Sequence, residues 1–393
     1  MLLTILVAIY FWQRYFKSRN LINIGLAVFM LSLSVYFYST AKLFSPLLGL
    51  YFLFTWKPPL KHSFFAILFG FLLLLPMFLD TIQGKAGFRF SYISIFTEPH
   101  REQTTDNLRY QDVILFHPNE IGLKTPTVSY LFHNKYQLIA QKFIQNYLQS
   151  FSPEFLFISG DKNQRQGFGN HGLLYVIDFF TIILGIILHS RHPTRIGKLF
   201  LFLLIMGPIP FALTRDSSTA HATRLILLLP SFIYFSSLAV TKKPIFFLPI
   251  YILLFVNFWH YYQYHYPQDS ARTWHANSKE AIIAIQNSTA DFIYFSDQAE
   301  PFMLFFLYYF PYIPTDSLTK HITSVNSDFF DGSCLDGKYC FGHITSQNFP
   351  TGSKVQVVVP KSAIVQFPQI YQLTNSIPKK YINSEEYSIY SNY

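Results

Sequence analysis

The chain has 393 residues and a formal net charge of +9, yet only 13% of its residues are charged, while 51% are hydrophobic and 19% are aromatic. This composition is unlike that of a soluble globular domain and indicates that lipid solvates much of the surface. Ten of the 30 Lys and Arg residues lie in four short clusters between apolar stretches, where anionic head groups account for them, so the composition disfavours nucleic-acid binding.

Eight apolar stretches are candidates for helices that cross the roughly 30 Å of membrane hydrocarbon. They occupy residues 1–13, 21–40, 43–56, 63–79, 173–188, 199–213, 225–240 and 244–260. At 1.5 Å per residue the first covers only about 20 Å, so it is an incomplete span, a re-entrant piece or the remnant of a longer helix. A signal peptide is rejected because no basic segment precedes this stretch and no small-residue cleavage site follows it.

The basic clusters fix the expected orientation, because short loops rich in Lys and Arg stay in the cytoplasm. The clusters are Arg14/Lys17/Arg19, Lys57/Lys61, Arg191/Arg195/Lys198 and Lys242/Lys243, and alternation of the eight stretches places all four on one side. The predicted fold is therefore an α-helical cell-membrane protein with about 7–8 spans. Its predicted domains are transmembrane helices in 1–80 and 173–260, an extracytoplasmic loop in 81–172 and an extracytoplasmic α/β domain in 261–393.

The two large outer regions carry their own secondary-structure patterns. Residues 134–151 have apolar residues at helical spacing and predict a helix on the outer membrane surface. In the last region the pattern predicts helices at 268–286 and 302–309 and strands at 292–295, 355–359 and 387–390. Cys334 and Cys340 also fall here, where an oxidising exterior permits a disulfide, although the spacing leaves the pairing open.

Candidate functional residues are expected at the outer membrane face. His171, Tyr175 and Asp178 stand at i, i+4 and i+7 and would share one helical face, with the carboxylate about two turns inside a span. They could bind the sugar or the acceptor, or they could simply pack between helices. The segment 261–274 is rich in Tyr and Trp, which suits an aromatic belt or stacking against a sugar ring.

A second polar cluster lies in the short loop 214–224. Arg215, His221 and Arg224 could bind a phosphate group at the top of a membrane cavity, because the guanidinium offers a planar fork of donors. The alternative is that the arginines reach lipid phosphates at the interface. The position of Arg224, directly before an apolar run, favours the functional role.

Four tracts together resemble bacterial membrane glycosyltransferases of the C-type (GT-C) class, which are related to dolichyl-phosphate-mannose protein mannosyltransferases. The tracts are Tyr147-Leu-Gln-Ser-Phe-Ser-Pro-Glu-Phe-Leu-Phe-Ile-Ser-Gly-Asp161 with Arg165 and His171-Gly-Leu-Leu-Tyr; Tyr36-Phe-Tyr-Ser-Thr-Ala-Lys-Leu-Phe-Ser-Pro46; His221-Ala-Thr-Arg224 with Pro230; and Tyr264-His-Tyr-Pro267 with Ser270, Arg272 and Trp274. The resemblance implies transfer of a hexose such as mannose from a polyprenyl-phosphate donor to a glycan, protein or lipid acceptor at the outer face, by an inverting displacement.

The chain departs from that family at its start. The family has further spans and an early outer loop with an acidic general base, so an N-terminal portion carrying that base is expected outside this sequence, and the catalytic residue stays unassigned. Arg224, His221 and Arg215 are the predicted phosphate ligands, and Asp178 or Asp80 could orient the sugar. No cofactor is predicted, and a divalent metal is left open. The alternatives are a catalytically silent glycan-binding or assembly subunit and, with less support, a transporter.

Overall fold

The computed structural model describes residues 1–83, 92–116, 127–215, 220–298, 301–310, 316–345, 348–363 and 365–393. The chain divides into two compact units, Met1–Leu254 and Phe255–Tyr393. The first unit is helical and the second holds a β-sheet with short helices. A mostly helical protein with a C-terminal sheet domain agrees with the coarse prediction of the fold.

The described part of the first unit contains thirteen α-helices, the last of which continues past Leu254. They are α1 (Leu2–Ser18), α2 (Leu21–Phe37), α3 (Ser39–Trp56), α4 (Leu60–Ile82), α5 (Arg101–Phe116), α6 (Thr127–Phe132), α7 (Lys135–Gln149), α8 (Val176–Arg191), α9 (Arg195–Met206), α10 (Ile209–Ala212), α11 (Ala222–Leu225), α12 (Leu229–Val240) and α13 (Pro244–His260). Short 3₁₀ turns at Ile95–Thr97 and Ile226–Leu228 and a π turn at Glu154–Ile158 complete this unit.

Four helical segments of the described chain are long and apolar enough to cross a membrane, so the protein has the character of a membrane protein. They are Leu60–Ile82, Arg195–Ala212, Ala222–Val240 and Pro244–Asp269, and the shorter helix Leu21–Phe37 is also apolar. Each of the eight apolar stretches contains a helix, although the helix in 173–188 begins only at Val176. The first is longer than predicted, because α1 runs on through Arg14 and Lys17 before Arg19 ends it with a positive φ of 54°.

The boundary between the second and third predicted stretches differs from the prediction. Tyr38 has extended backbone angles between α2 and α3, so the helix predicted to reach residue 40 ends at Phe37 instead. Helices α1, α2 and α3 pack around a core that includes Ile24, Phe44 and Phe52, all of which are almost fully buried. A second core lies between α8, α12 and the loop that precedes α8.

The second unit is built on a seven-stranded sheet with the order β2-β3-β4-β1-β5-β7-β6. The strands are β1 (Phe292–Ser296), β2 (Ile322–Asn326), β3 (Phe330–Leu335), β4 (Tyr339–Ile344), β5 (Val355–Pro360), β6 (Gln372–Ile377) and β7 (Tyr387–Ser391). The central strand β1 is parallel to β4 and β5, and the remaining pairs are antiparallel. The α-helices are α14 (Tyr266–Asp269), α15 (Ser278–Ala284) and α16 (Phe302–Tyr309).

The predicted helix 302–309 and the strands predicted near 292, 355 and 387 are confirmed, but the helix predicted over 268–286 is wrong. Only α14 and α15 form there, because Asn277 adopts a φ of 82° and ends the intervening turn. Its side-chain amide donates hydrogen bonds to the carbonyls of Pro378 (3.0 Å) and Glu385 (2.8 Å), so tertiary contacts override the helical pattern.

Two further features of this unit concern titratable or reactive groups. Cys334 and Cys340 face each other on paired strands and form a disulfide, which answers the question that their spacing left open. His321 lies between two carboxylates, with Nδ1 2.7 Å from Asp336 and Nε2 2.5 Å from Asp316. Hydrogen bonds to these carboxylates raise the pKa of the imidazole.

Candidate functional site

A fully buried carboxylate, Asp161, organises the polar cluster at the start of helix α11. One of its oxygens accepts a hydrogen bond from the backbone N–H of Ala222 at 2.8 Å, and the other accepts one from Asn163 at 2.9 Å. Since Ala222 is the first residue of α11, a loop distant in sequence caps this helix with a negative charge, where the helix dipole favours it. The Nδ1 atom of His221 lies 3.9 Å from the same carboxylate.

The loop that supplies Asp161 can close because two glycines permit very short approaches. Gly160 has a φ of 72°, and a Cβ atom there would lie 2.4 Å from the carbonyl oxygen of His171. At Gly167 a Cβ atom would lie 2.9 Å from the Cβ of Asp161. Side chains at these positions would push the loop open and withdraw the carboxylate from the helix it caps.

Arg224 lies in the same short helix and is half-buried. Its Nη1 atom donates a hydrogen bond to the hydroxyl of Thr214 at 3.1 Å, and that hydroxyl donates in turn to the carbonyl of Phe211 at 2.8 Å. Within the described ranges, the guanidinium pairs with no carboxylate. The hydrogen bond to Thr214 therefore fixes the position of the Arg224 guanidinium, and its positive charge is available to a ligand.

Neighbouring segments support this end of α11. The hydroxyl of Thr223 donates to the side-chain oxygen of Gln166 at 3.1 Å and accepts a hydrogen bond from Tyr38 at 3.4 Å. The buried amide of Asn146 in helix α7 donates to the carbonyls of Ala212 (3.2 Å) and Thr214 (2.7 Å). The helix predicted at 134–151 is thus confirmed as a helix, and it is anchored to the segment that contacts Arg224.

Arg215, although adjacent to Thr214, faces a different hollow. Its guanidinium carbon lies 4.6 Å from the centre of the Tyr92 ring, and its backbone N–H donates to the carbonyl of Ile93 at 2.8 Å. The hollow has a volume of about 460 Å³, and Glu98 and His100 also line it. The structure therefore groups His221 and Arg224 with Asp161, and places Arg215 beside them on a surface that also carries a carboxylate.

The predicted helical face of His171, Tyr175 and Asp178 is wrong. Helix α8 begins at Val176, so His171 lies in the preceding loop and Tyr175 is the residue before the first turn. Asp178 is therefore in the first turn, where its carboxylate accepts a hydrogen bond from the backbone N–H of Tyr175 at 2.9 Å. The helix starts late because Leu174 donates instead to the carbonyl of Leu156 at 2.8 Å. Partial burial lowers the pKa of His171.

Asp178 is also tied to two other helices. Its second carboxylate oxygen accepts hydrogen bonds from the hydroxyls of Tyr251 in α13 (2.5 Å) and Ser236 in α12 (3.3 Å). Thr181 extends the network, with its hydroxyl 2.8 Å from that of Ser236. This carboxylate is buried and satisfied by protein donors, so the geometry favours the packing alternative over sugar binding.

Asp80 lies apart from these groups. It is exposed in the last turn of α4, and the described residues provide it with no hydrogen bond or ion pair to the cluster around Arg224. The sequence reasoning missed three positions: Asp161, Thr214 and Glu98. Asp161 follows a glycine and precedes Asn163 by two residues, a pattern typical of a tight polar turn, and this was the one local signal that pointed to it.

Comparisons with known proteins add no family. The chain matches no protein-family model, no curated protein and no solved structure. Within the ranges given above for the structure, no cluster of three or more His, Cys, Asp or Glu side chains could hold a metal ion. Function must therefore be argued from the cluster around Arg224 itself.

Proposed function

We propose that the protein is a membrane glycosyltransferase of the GT-C type, which moves a hexose from a polyprenyl phosphate to an acceptor at the outer membrane face. The observation that carries this proposal is the position of Arg224. It is a half-buried cation in the first turn of a helix, fixed by Thr214 and paired with no carboxylate of the described chain. Such a group suits an anionic ligand that arrives from the membrane.

The reaction requires positive charge at the departing group. In an inverting displacement the acceptor oxygen attacks the anomeric carbon, the bond from that carbon to the phosphate oxygen breaks, and the phosphate leaves with the electron pair. A guanidinium carries five N–H donors, and Thr214 uses one of those of Arg224, so the others can hold the phosphate. His221 lies beside the helix end, and Arg215 lies on the other side of Thr214.

The acceptor in this proposal enters the hollow beside Arg215. Glu98 lines that hollow and is exposed, whereas Asp161 and Asp178 are buried and already accept hydrogen bonds from protein donors. Glu98 is therefore the carboxylate assigned to take the proton of the acceptor hydroxyl. His171 and Tyr175, in the loop that precedes helix α8, remain candidates for contact with the sugar.

The membrane orientation belongs to the same proposal. The helical stretches beyond the four long ones would complete about 7–8 spans, with the basic clusters in the cytoplasm. The cluster around Arg224 and the sheet unit would then face outward. The predicted interfacial helix, now bounded as α7, would lie at the outer surface because it is anchored beside Thr214.

A second candidate is a catalytically silent glycan-binding or assembly subunit. One observation favours it: two buried carboxylates have structural roles, because Asp161 caps helix α11 and Asp178 links helices α8, α12 and α13. If Glu98 does not act as the base, the described residues provide a phosphate-binding surface without a general base.

Transfer of labelled hexose from polyprenyl-phosphate donors by the purified protein in lipid tests both candidates. Arg224→Ala is expected to reduce the rate by about 10²-fold, the loss typical of one charged donor to a transition state, and Arg224→Lys to restore part of it. The matched control is Lys198→Ala, which removes an exposed cation from the start of α9. Glu98→Gln is expected to abolish transfer, because an amide cannot take the proton of the acceptor hydroxyl.

The outcomes separate the candidates. Transfer that depends on Arg224 but not on Lys198 supports the transferase. Donor binding that depends on Arg224, without any sugar transfer, favours the silent subunit. If the Arg224→Ala variant transfers sugar at the wild-type rate, the phosphate-binding role assigned to Arg224 is refuted.

A further inference from the structure

The helices α1, α2, α3 and α4 enclose an apolar groove that the proposed transfer reaction does not use. It has a volume of about 330 Å³ and is lined by residues from all four helices, among them Trp12, Leu31, Gly49, Leu53, Gly70 and Phe71. Two glycines help to create it, because neither α3 at Gly49 nor α4 at Gly70 projects a side chain toward α2. A groove of this volume is within the range of ligand pockets.

One end of this helix group is strongly cationic. Tyr15 of α1 is hydrogen-bonded to His62 of α4 at 2.7 Å, and Phe16 contacts Trp56 at the end of α3, so these three helix ends lie together. Arg195, at the start of α9, places its guanidinium 4.6 Å from the Phe16 ring. The cations at this end are all exposed and comprise Arg14, Lys17, Arg19, Lys57, Lys61 and Arg195.

The opposite end of the group faces the Arg224 cluster. Tyr38, between α2 and α3, is hydrogen-bonded to Thr223 of helix α11. The single acidic residue within positions 1–83, Asp80, lies in the last turn of α4, far along that helix from Lys61. At 1.5 Å per residue the 17 residues of α2 separate the two ends by about 25 Å. A phosphate bound at the cationic end is therefore distinct from one bound by Arg224.

The groove also contains a buried hydrogen-bond donor, the indole N–H of Trp12. Trp12 is 3% exposed and lines the groove, yet its indole N–H has no hydrogen-bond partner among the residues that the structure describes. Its ring stacks on Phe52 at 4.7 Å, one helical turn from Tyr15 and the cationic end. A buried donor left unpaired is costly, and the ester carbonyl of a lipid at this depth would satisfy it.

We propose that this groove binds an acyl chain of an anionic membrane phospholipid, with an ester carbonyl on Trp12 and the phosphate against the cations near Lys57 and Lys61. The apolar lining surrounds the chain, the indole N–H donates a hydrogen bond to the ester carbonyl, and the cations select a negative head group. The lipid would hold α4 against α2 and α3, since Ala66 is the only residue of α4 that is itself buried. This inference does not depend on the transferase proposal.

Photolabelling tests the site directly. The full-length protein is placed in phosphatidylcholine nanodiscs that contain a phosphatidylglycerol analogue with a diazirine in its acyl chain, and labelled peptides are mapped by mass spectrometry. Label is expected on α2, α3 and α4 at the groove. Gly49→Leu fills the groove and should reduce labelling about tenfold, which corresponds to about 1.4 kcal/mol. A Cβ atom there would lie 3.6 Å from Leu31, an ordinary van der Waals contact, so the first atom of the new side chain meets no clash.

Gly25→Leu is the matched control, because it adds the same side chain to α2 at a position that does not line the groove. Trp12→Phe keeps the ring and removes the N–H, and should reduce labelling about fivefold, the contribution of one hydrogen bond. Lys57→Gln with Lys61→Gln should remove the preference for phosphatidylglycerol over a phosphatidylcholine analogue.

Several results would overturn the proposal. They are labelling that falls equally in Gly49→Leu and Gly25→Leu, equal labelling by the two head groups in the wild type, and label that maps away from these helices. Displacement of the probe by a polyprenyl phosphate would also overturn it, because the groove would then belong to the donor of the proposed reaction. If Gly49→Leu does not fold, the Trp12→Phe comparison and the head-group preference decide the question.

Discussion

Asp178 and Tyr251 should be energetically coupled, because their hydrogen bond is the shortest polar link between α8 and α13. The tyrosine hydroxyl donates to the carboxylate at 2.5 Å, and no residue of α13 is itself buried by packing. Tyr251→Phe removes one donor and leaves Ser236 on the same oxygen at 3.3 Å. Asp178→Asn should destabilise the protein more. Both carboxylate oxygens accept hydrogen bonds, and the NH2 group that replaces one of them cannot accept the hydrogen bond from this hydroxyl or from the backbone N–H of Tyr175.

The expected magnitudes follow from this geometry. A hydrogen bond to a charged group contributes about 1.5–3 kcal/mol in water-soluble proteins, while coupling energies between membrane helices average about 0.6 and reach about 1.7 kcal/mol. The short distance and the charge place this pair near the upper end. We therefore expect Tyr251→Phe to lower the free energy of unfolding by about 1–2 kcal/mol, Asp178→Asn by about 2–3 kcal/mol, and a coupling energy of about 1–2 kcal/mol.

A double-mutant cycle measures the coupling. Unfolding of the two single variants and the double variant is followed by tryptophan fluorescence during an SDS titration in mixed micelles. Tyr264→Phe is the control, because that side chain is 69% exposed on the continuation of the same helix. Additive effects would refute the hydrogen bond. Loss of sugar transfer in Asp178→Asn at unchanged stability would instead restore the ligand-binding role that the sequence suggested.

Three further predictions concern positions outside that network. Asp161→Ala orphans two backbone N–H groups and should lower the free energy of unfolding by about 2 kcal/mol, with Lys162→Ala neutral, in the same titration. Gly197→Ala would place a Cβ atom 2.1 Å from the His189 ring; it should cost about 1–3 kcal/mol, and the addition of His189→Ala should relieve this. The raised pKa of His321 stabilises the fold below its ordinary value of 6.5, and this is lost as pH rises through the raised value. The midpoint of thermal unfolding should therefore fall with pH in the wild type and be flatter in His321→Gln.

The helices were predictable from the sequence because long apolar runs leave few alternatives in lipid. Their ends were less so, since one extended residue, Tyr38, divides α2 from α3 and one left-handed residue, Arg19, ends α1. The buried strands β1 and β5 were also predictable, because β1 begins with four consecutive apolar residues and β5 contains three consecutive valines. The number of strands in the sheet around them was not predictable.

The strands that the sequence did not reveal lack a usable hydrophobic pattern. Strand β6 is exposed at nearly every residue at one edge of the sheet, and β2 forms the opposite edge. Strand β3 carries Asp331-Gly-Ser-Cys334, residues typical of a turn, and is held as a strand by its pairing with β4 and by the disulfide. Long-range pairing, which no local pattern encodes, decides these segments.

The candidate site was predictable in its cations and not in its carboxylates. Arg224 and His221 could be identified from the sequence because ionisable residues next to an apolar span are costly and therefore indicate a functional role. A carboxylate is different, since its role depends on which donors reach it: Asp161 meets two backbone N–H groups and becomes a cap, and Asp178 meets Tyr251 and joins helices. Carboxylate oxygens that are buried and already accept such hydrogen bonds are not positioned to reach an acceptor hydroxyl.

The structural roles of Asp161 and Asp178 limit which carboxylate could act as a general base. In the proposed transfer, the base must take a proton from the acceptor, so it must have an oxygen on an accessible surface. Glu98 meets this requirement in the hollow beside Arg215. If Glu98 is the base, Glu98→Gln should abolish transfer while binding of the donor at Arg224 persists, because an amide cannot take the proton of the acceptor hydroxyl. Donor binding and proton transfer would then fail separately, as expected if donor binding depends on Arg224 and proton transfer depends on Glu98.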